Sequence, residues 1–228
     1  RKMIDTRAGL WLQLAMVALT LVVVVVRSTI GDASHHTFQS ILDVALAPAA
    51  FLLPVAAVLL VTSEWSQRTG MITFTLVPVR SRVIGAKLLA SVLVATTALA
   101  MIVAVAAVGA LAAGVDGTWG HVVPLIYQSA LFLVAGVIIG VAFGMAALSS
   151  APAIVALYAL PTAWAALASL SVFAGVAPWL DTNRSLNPLS KELLSSAQWA
   201  HVATSLAVWM LIPLLIGAWR ITRREAAS

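Results

Sequence analysis

Charged residues are scarce in this 228-residue chain: Asp, Glu, Lys and Arg make up 9% of it, whereas 62% of the residues are hydrophobic. A soluble domain carries about 25% charged and roughly 45–50% apolar residues. The chain therefore has too few charges to cover a water-exposed surface, which excludes a soluble enzyme. A disordered chain is excluded as well, because disorder requires low hydrophobicity and high charge. The composition leaves a polytopic membrane protein.

Several kinds of chemistry are missing from the sequence. There is no cysteine, which excludes disulfides, thiolate metal sites and cysteine nucleophiles. A phosphate-binding loop of the G-x-x-x-x-G-K-[ST] type is also absent, so the chain cannot hold nucleotide phosphates by itself. The four histidines lack metal-ligand spacing, and no metal site is predicted. No Ser/His/Asp set or carboxylate pair falls at membrane depth, which argues against an intramembrane protease.

Six apolar segments are long enough to cross a bilayer, which takes about 20 apolar residues in a helix. They cover residues 10–26, 41–62, 84–113, 121–148, 152–172 and 198–219. The first lacks a small-residue cleavage site, and we interpret it as a span and not as a signal peptide. Since the chain begins at Arg1, we expect further residues before it in the native protein. The prediction is an all-α integral membrane protein with one transmembrane domain.

The basic residues predict the orientation of these spans. Three fall on one face, namely Arg27, Arg184 and Lys191. Ten fall on the other face: Arg1, Lys2, Arg7, Arg68, Arg80, Arg82, Lys87, Arg220, Arg223 and Arg224. The positive-inside rule therefore places both termini in the cytoplasm. The net charge of +5 is explained by topology, and no nucleic-acid partner is expected.

One acidic residue, Asp43, falls within a predicted span, and it lies near the outer end. Ion-coupled transporters usually keep acidic groups close to the middle of the membrane. The position of Asp43 therefore disfavours an ion-coupled secondary transporter. An ion-coupled secondary transporter or a channel that works without an ATPase is kept as the alternative function.

The cytoplasmic segment 63–83 combines a short helical pattern with a cluster of arginines. Ser63 is predicted to cap the start of a short helix. Glu64 and Arg68 have the i, i+4 spacing of a helical ion pair, and Gly70 would end the helix. One interpretation is a surface loop whose arginines meet lipid phosphates. The other is a docking element for a cytosolic partner.

The outer segment 173–197 is too long for a simple turn, and it is apolar in places. Loops longer than about 12–15 residues are usually functional or disordered, and this composition is not typical of disorder. We expect the segment to dip into the membrane interface as a partial helix.

Six residues around the second loop stand in an order that is informative as a set: Glu64, Gly70, Leu76, Pro78, Arg82 and Lys87. This order resembles the signature of ABC-2 type permeases, the membrane subunits of small bacterial ABC exporters. The start of the chain, residues 1–7, resembles the end of that family's amphipathic cytoplasmic helix. Residues 178–181 and 187–189 resemble the region where family members have re-entrant outer helices.

The resemblance implies an ABC-2 (type V-like) exporter transmembrane domain in a bacterial cytoplasmic membrane. Such a permease pairs with a second permease, identical or paralogous, and with two copies of a cytosolic ATPase subunit. ATP and Mg would be bound by the ATPase, so this chain would bind no cofactor and would not be an enzyme by itself. The residues implied in coupling to the ATPase are Glu64, Trp65, Arg68, Gly70, Pro78, Arg80 and Arg82.

Three glycines, Gly136, Gly140 and Gly144, recur every four residues in the fourth span. Small residues at this spacing let two helix backbones approach closely. The partner is either another helix of the same chain or a second permease. We expect leucine at Gly140 to be costly and alanine to be tolerated better.

Four residues are candidates for a substrate pathway. Trp164 and Trp209 fall in the middle of spans, where they either fill space between helices or line an apolar path. Gln128 and Thr162 are isolated polar residues among aliphatic ones. A mostly apolar lining favours an amphipathic drug, an antibiotic or a lipid-like substrate over a polysaccharide.

Overall fold

A computed structural model describes residues 7–29, 37–66, 80–114 and 121–223, and the regular elements in these ranges are all helical. The first five long helices are α1 (Arg7–Thr29), α2 (Phe38–Ser66), α3 (Arg80–Ala112), α4 (Val122–Ala147) and α5 (Ser150–Ala168). A turn of 3₁₀ helix, Ser171–Phe173, follows α5.

Three short helices then form the outer segment: α6 (Ala177–Leu180), α7 (Thr182–Leu186) and α8 (Pro188–Lys191). The chain ends in one long helical element, which consists of α9 (Ser196–Leu206), a π-helical stretch (Ala207–Leu211) and α10 (Ile212–Arg223). The partial helix expected in the outer segment is therefore present, divided into three.

Six helices in the described ranges are long and apolar enough to cross a membrane. They overlap the six predicted spans one for one. The membrane-length parts are Trp11–Thr29, Phe38–Ser63, Gly85–Ala112, Val122–Ala147, Ser150–Ala168 and Ser196–Arg220. The prediction of an all-helical chain with six apolar spans is confirmed.

Helix α4 lies at the centre of the bundle and packs against α2, α3, α5 and α10. Its own side chains and those of α2 supply most of the buried apolar surface, and more than half of its membrane-length window is buried. Helix α1 is peripheral: it packs on α2 and α3 and leaves large apolar side chains such as Leu19 and Val22 exposed. Exposed aliphatic faces of this kind suit contact with lipid tails, which are as apolar as leucine.

The three glycines of α4 face α2. An added Cβ would meet Pro54 Cγ at 3.4 Å from Gly136 and Val61 Cβ at 3.3 Å from Gly144. At Gly140 it would lie 2.9 Å from Pro54 Cα and closer still to the Pro54 carbonyl oxygen. In this chain the glycine face therefore packs within the subunit. At Gly140 even a methyl group would meet the backbone of α2.

The end of α2 differs from the prediction. Helix α2 continues through Glu64 and Trp65 to Ser66, so the expectation that Ser63 caps a separate helix is wrong. The Ser63 hydroxyl donates to the Leu60 carbonyl at 3.0 Å within the same helix. Helix α3 begins at Arg80, four residues before the predicted span.

The last helix changes its hydrogen-bonding pattern next to Pro213. Proline has no N–H, and its ring clashes with the carbonyl four residues earlier. The π-helical stretch Ala207–Leu211 ends two residues before Pro213, and an insertion of this type relieves such a clash by widening the turn. Further along, Gly217 lets α10 approach α4, where an added Cβ would lie 2.6 Å from Met145 Cβ.

Candidate functional site

A cavity of about 840 Å³ lies between α1, α2, α4, α5 and the outer segment. Pockets that bind small molecules usually have volumes of roughly 300–1,000 Å³, so this one is large enough for a drug-sized or lipid-like molecule. Its walls are mostly apolar, with polar groups collected at one end. We call this end, lined by Arg27, Asp43, Asn187, Ser190 and Lys191, the polar end.

The polar end joins three parts of the chain. Arg27 comes from the last turn of α1, Asp43 from the second turn of α2, and Ser190 and Lys191 from α8. Arg27 Nη2 donates to the Ser40 hydroxyl at 3.3 Å. The Ser190 hydroxyl donates to Asp43 Oδ1 at 2.8 Å. One acidic residue, Asp43, and two basic residues, Arg27 and Lys191, therefore contribute to the lining of the same cavity.

The body of the cavity is aliphatic and aromatic. Phe51 of α2 and Tyr158 of α5 line it and stack directly on each other, with ring centroids 4.6 Å apart and an interplanar angle of 20°. The Tyr158 hydroxyl donates to the Phe51 carbonyl, so the phenol is hydrogen-bonded within the apolar wall. Further wall surface comes from Val22, Ala47, Pro54, Leu157 and Pro161.

Of the four candidate pathway residues, one lies in the cavity lining and three lie elsewhere. Thr162 lines the cavity, although its hydroxyl donates to the Tyr158 carbonyl within α5 at 2.7 Å. The other three lie outside the described lining. Trp209 Nε1 donates to the Leu180 carbonyl at 2.7 Å and ties the last helix to the outer segment. Trp164 packs edge to face with Phe173, with ring centroids 5.7 Å apart, and its indole N–H is buried without a hydrogen-bond partner.

Gln128, which is buried in α4, holds the outer segment in place. Its Nε2 donates to the Leu189 carbonyl at 3.3 Å and to the Glu192 carbonyl at 2.6 Å. Its Oε1 accepts from the Leu194 backbone N–H at 3.2 Å. The side-chain amide of Gln128 thus binds the backbone on both sides of Lys191 and fixes the part of the outer segment that lines the polar end.

The residues implied in coupling lie at the opposite end of α2. Glu64 and Trp65 belong to its last turn, and Arg80 and Arg82 to the first turn of α3. Arg68, Gly70 and Pro78 lie outside the described residues. Just inside this end, Lys87 Nζ donates to the Val61 carbonyl at 3.3 Å and connects α3 to α2.

Sequence reasoning missed the polar end as a site. Arg27 and Lys191 served there only as topology signals, Asp43 only as evidence on ion coupling, and Ser190 was not singled out. The available signal was that Arg27 and Lys191 are two of the three basic residues predicted on the face with few basic residues. In the described part of the chain, no group of His, Asp or Glu residues could hold a metal ion.

In the described ranges, the protein is a helical chain with six membrane-length helices, of which α4 is the central one, and a cavity that contains a few polar and charged residues. Comparisons with protein-family profiles, curated proteins and solved structures give no match.

Proposed function

We propose that this chain is the permease subunit of an ABC exporter, which moves an amphipathic drug, antibiotic or lipid-like substrate outward through the membrane. The observation that carries the proposal is the cavity with an apolar body and a polar end. Its volume of about 840 Å³ suits an amphiphile, and its charged groups are too few to bind a large hydrophilic molecule.

Helix α2 offers a mechanical route between the cavity and an ATPase. It contributes Asp43, Ala47 and Phe51 to the cavity lining and continues without interruption to Ser66. A movement at Glu64 would therefore be transmitted to the cavity along this single helix of 29 residues. The close contact of Pro54 with Gly140 would carry α4 along with α2, as in rigid-body switching.

The rest of the assembly follows from the sequence resemblance. Two cytosolic ATPase subunits would supply the ATP and Mg site, and a second permease, identical or paralogous, would complete the pathway. The complex would lie in a bacterial cytoplasmic membrane with both termini of this chain inside.

An ion-coupled transporter is the second candidate, and one observation favours it. Asp43 lies at the polar end with its carboxylate bonded to Ser190, where it could take part in binding a proton or a cation. Such a carrier would transport in liposomes under an ion gradient without ATP.

The experiment that tests the proposal is a Glu64→Ala substitution in the chain co-expressed with its ATPase. We expect substrate export and stimulated ATP hydrolysis to fall severalfold while the amount of protein in the membrane is unchanged. Removing an anion near a helix end changes local stability by only about 0.3–1 kcal/mol, so the fold should persist.

The control is Glu225→Ala, which removes an acidic residue near the C-terminus, predicted to lie on the same face. This variant should export at the wild-type rate. Wild-type export by Glu64→Ala would show that Glu64 does not couple this chain to an ATPase.

A further inference from the structure

We propose that the cavity binds one amphiphile with a monoanionic headgroup, such as a phosphodiester, with the anionic head at the polar end and the aliphatic chain along the apolar body. Only the export of this molecule rests on the proposed function. The binding itself is a property of this chain alone and needs no ATPase.

The charges at the polar end favour a monoanion. Of the described residues that line the cavity, Arg27 and Lys191 are cationic and Asp43 is anionic, which gives one positive charge in excess. A dianionic head would be repelled by the carboxylate, and a cationic head by two basic side chains. Phosphate oxygens are strong acceptors for guanidinium and ammonium donors.

The backbone around Lys191 is held in place by other contacts. The Lys191 carbonyl accepts a hydrogen bond from Gln39 Nε2, and the carbonyls of Leu189 and Glu192, on either side, accept from Gln128. The backbone of Lys191 is therefore fixed while its side chain is exposed. Because this backbone is positioned before a ligand arrives, the ordering entropy lost on binding at this residue is that of its side chain alone.

The body of the cavity argues for an aliphatic chain. Val22, Ala47, Phe51, Pro54 and Leu157 line it, and their dispersion contacts with an alkyl chain would replace those that the chain makes with lipid tails. Its one phenol, on Tyr158, already donates to a carbonyl. A hydroxyl-rich chain would find few partners in this wall.

The inference is tested by measuring equilibrium binding of a labelled amphiphile to the purified full chain in nanodiscs of neutral lipid. Empty nanodiscs serve as the blank. The probe is labelled dodecanoyl lysophosphatidylglycerol, which carries one alkyl chain and one phosphodiester. We expect saturable binding of one molecule per chain. Two competitors separate the contributions: dodecyltrimethylammonium has the same chain length with a cationic head, and glycerophosphoglycerol has the headgroup without the chain. Neither should compete at equal concentration.

Matched substitutions locate the probe. Lys191→Gln should weaken binding about three- to tenfold, as expected for loss of one exposed charge-assisted contact. Arg184→Gln removes the same charge from the outer segment at a residue outside the cavity lining, and it should leave the affinity unchanged. Ala47→Trp in α2 and Thr162→Trp in α5 each add a large side chain to the lining and should each abolish binding. Ala100→Trp, on the exposed face of α3, should not.

Two tryptophan variants keep the test decisive if one of them fails to fold. The inference is overturned by unsaturable binding, by equal competition from either competitor, by equal effects of Lys191→Gln and Arg184→Gln, or by wild-type affinity in the folded tryptophan variants. Export plays no part in this assay. Binding without ATP-driven export would therefore refute the proposed function alone, and export without binding would refute this inference alone.

Discussion

At the scale of single residues, the contact between Gly140 and Pro54 sets the tightest constraint on the bundle. The carbonyl and Cα of Pro54 occupy the space that a side chain at Gly140 would need. The backbone of a helix cannot shift without moving its neighbours, whereas the end of a flexible side chain can. Gly136, one turn earlier, meets only the ring of the same proline at 3.4 Å, which is an ordinary van der Waals contact.

This difference predicts the effect of adding a single methyl group. Gly140→Ala should destabilise the chain by about 1–3 kcal/mol, as is usual for overpacking, and Gly140→Leu should cost more. Gly136→Ala is the matched control and should leave the thermal midpoint in detergent within about one degree of wild type, since its Cβ finds an ordinary contact and alanine is a better helix former than glycine. Equal midpoints for the two alanine variants would contradict the packing described for α4 and α2.

At the scale of elements, the outer segment shows how local signals divide a chain into short helices. Asp181 Oδ1 accepts from the Asn183 N–H at 2.9 Å and caps the start of α7. Pro188 begins α8, where its missing N–H has no helical partner in any case. Ser195 and Gln198 form a reciprocal capping box at the start of α9. Each cap stabilises one helix start, and the hydrogen bonds of Gln128 hold the segment against the bundle.

Gln128 is predicted to control the stability of this segment. Gln128→Leu keeps a side chain of similar size but removes the partner of the Leu194 N–H and of two carbonyls. Leaving such groups unpaired costs about 1–3 kcal/mol. Hydrogen exchange of the Leu194 amide should therefore become about tenfold faster or more. Gln13→Leu, the same change in α1, should not alter this amide; equal exchange in both variants would show that Gln128 does not hold the segment.

The sequence allowed the helices of this fold to be predicted but not the cavity. Apolar length located six spans, and the Gly136–Gly140–Gly144 spacing indicated a close helix contact. It did not identify α2 as the partner, because two apolar helix faces at this spacing can pair in several ways. The role of Gln128 depends on backbone atoms more than 60 positions away in the chain, and no local pattern encodes that pairing. The polar end could not be predicted for the same reason, because its residues come from three separate parts of the chain.

At the scale of the whole molecule, helix α2 connects the polar end of the cavity to Glu64, a residue implied in coupling. One end contributes Asp43 to the polar end of the cavity, and the other carries Glu64 in its last turn. Helix α4 packs against α2 through Gly140 and holds the outer segment through Gln128. A displacement at the Glu64 end would therefore reach the cavity wall and the segment that carries Lys191. We expect these parts to move as one body.

The most direct test of the central claim is the rate of ATP hydrolysis by the ABC ATPase subunit in nanodiscs, measured with and without this chain. We expect no hydrolysis by the chain alone. When the two proteins are assembled, we expect a rate several times that of the free ATPase, and we expect the Glu64→Ala variant to lose this gain. An ATPase rate that is the same with and without the chain would contradict the claim that this protein is the membrane subunit of an ATP-driven exporter.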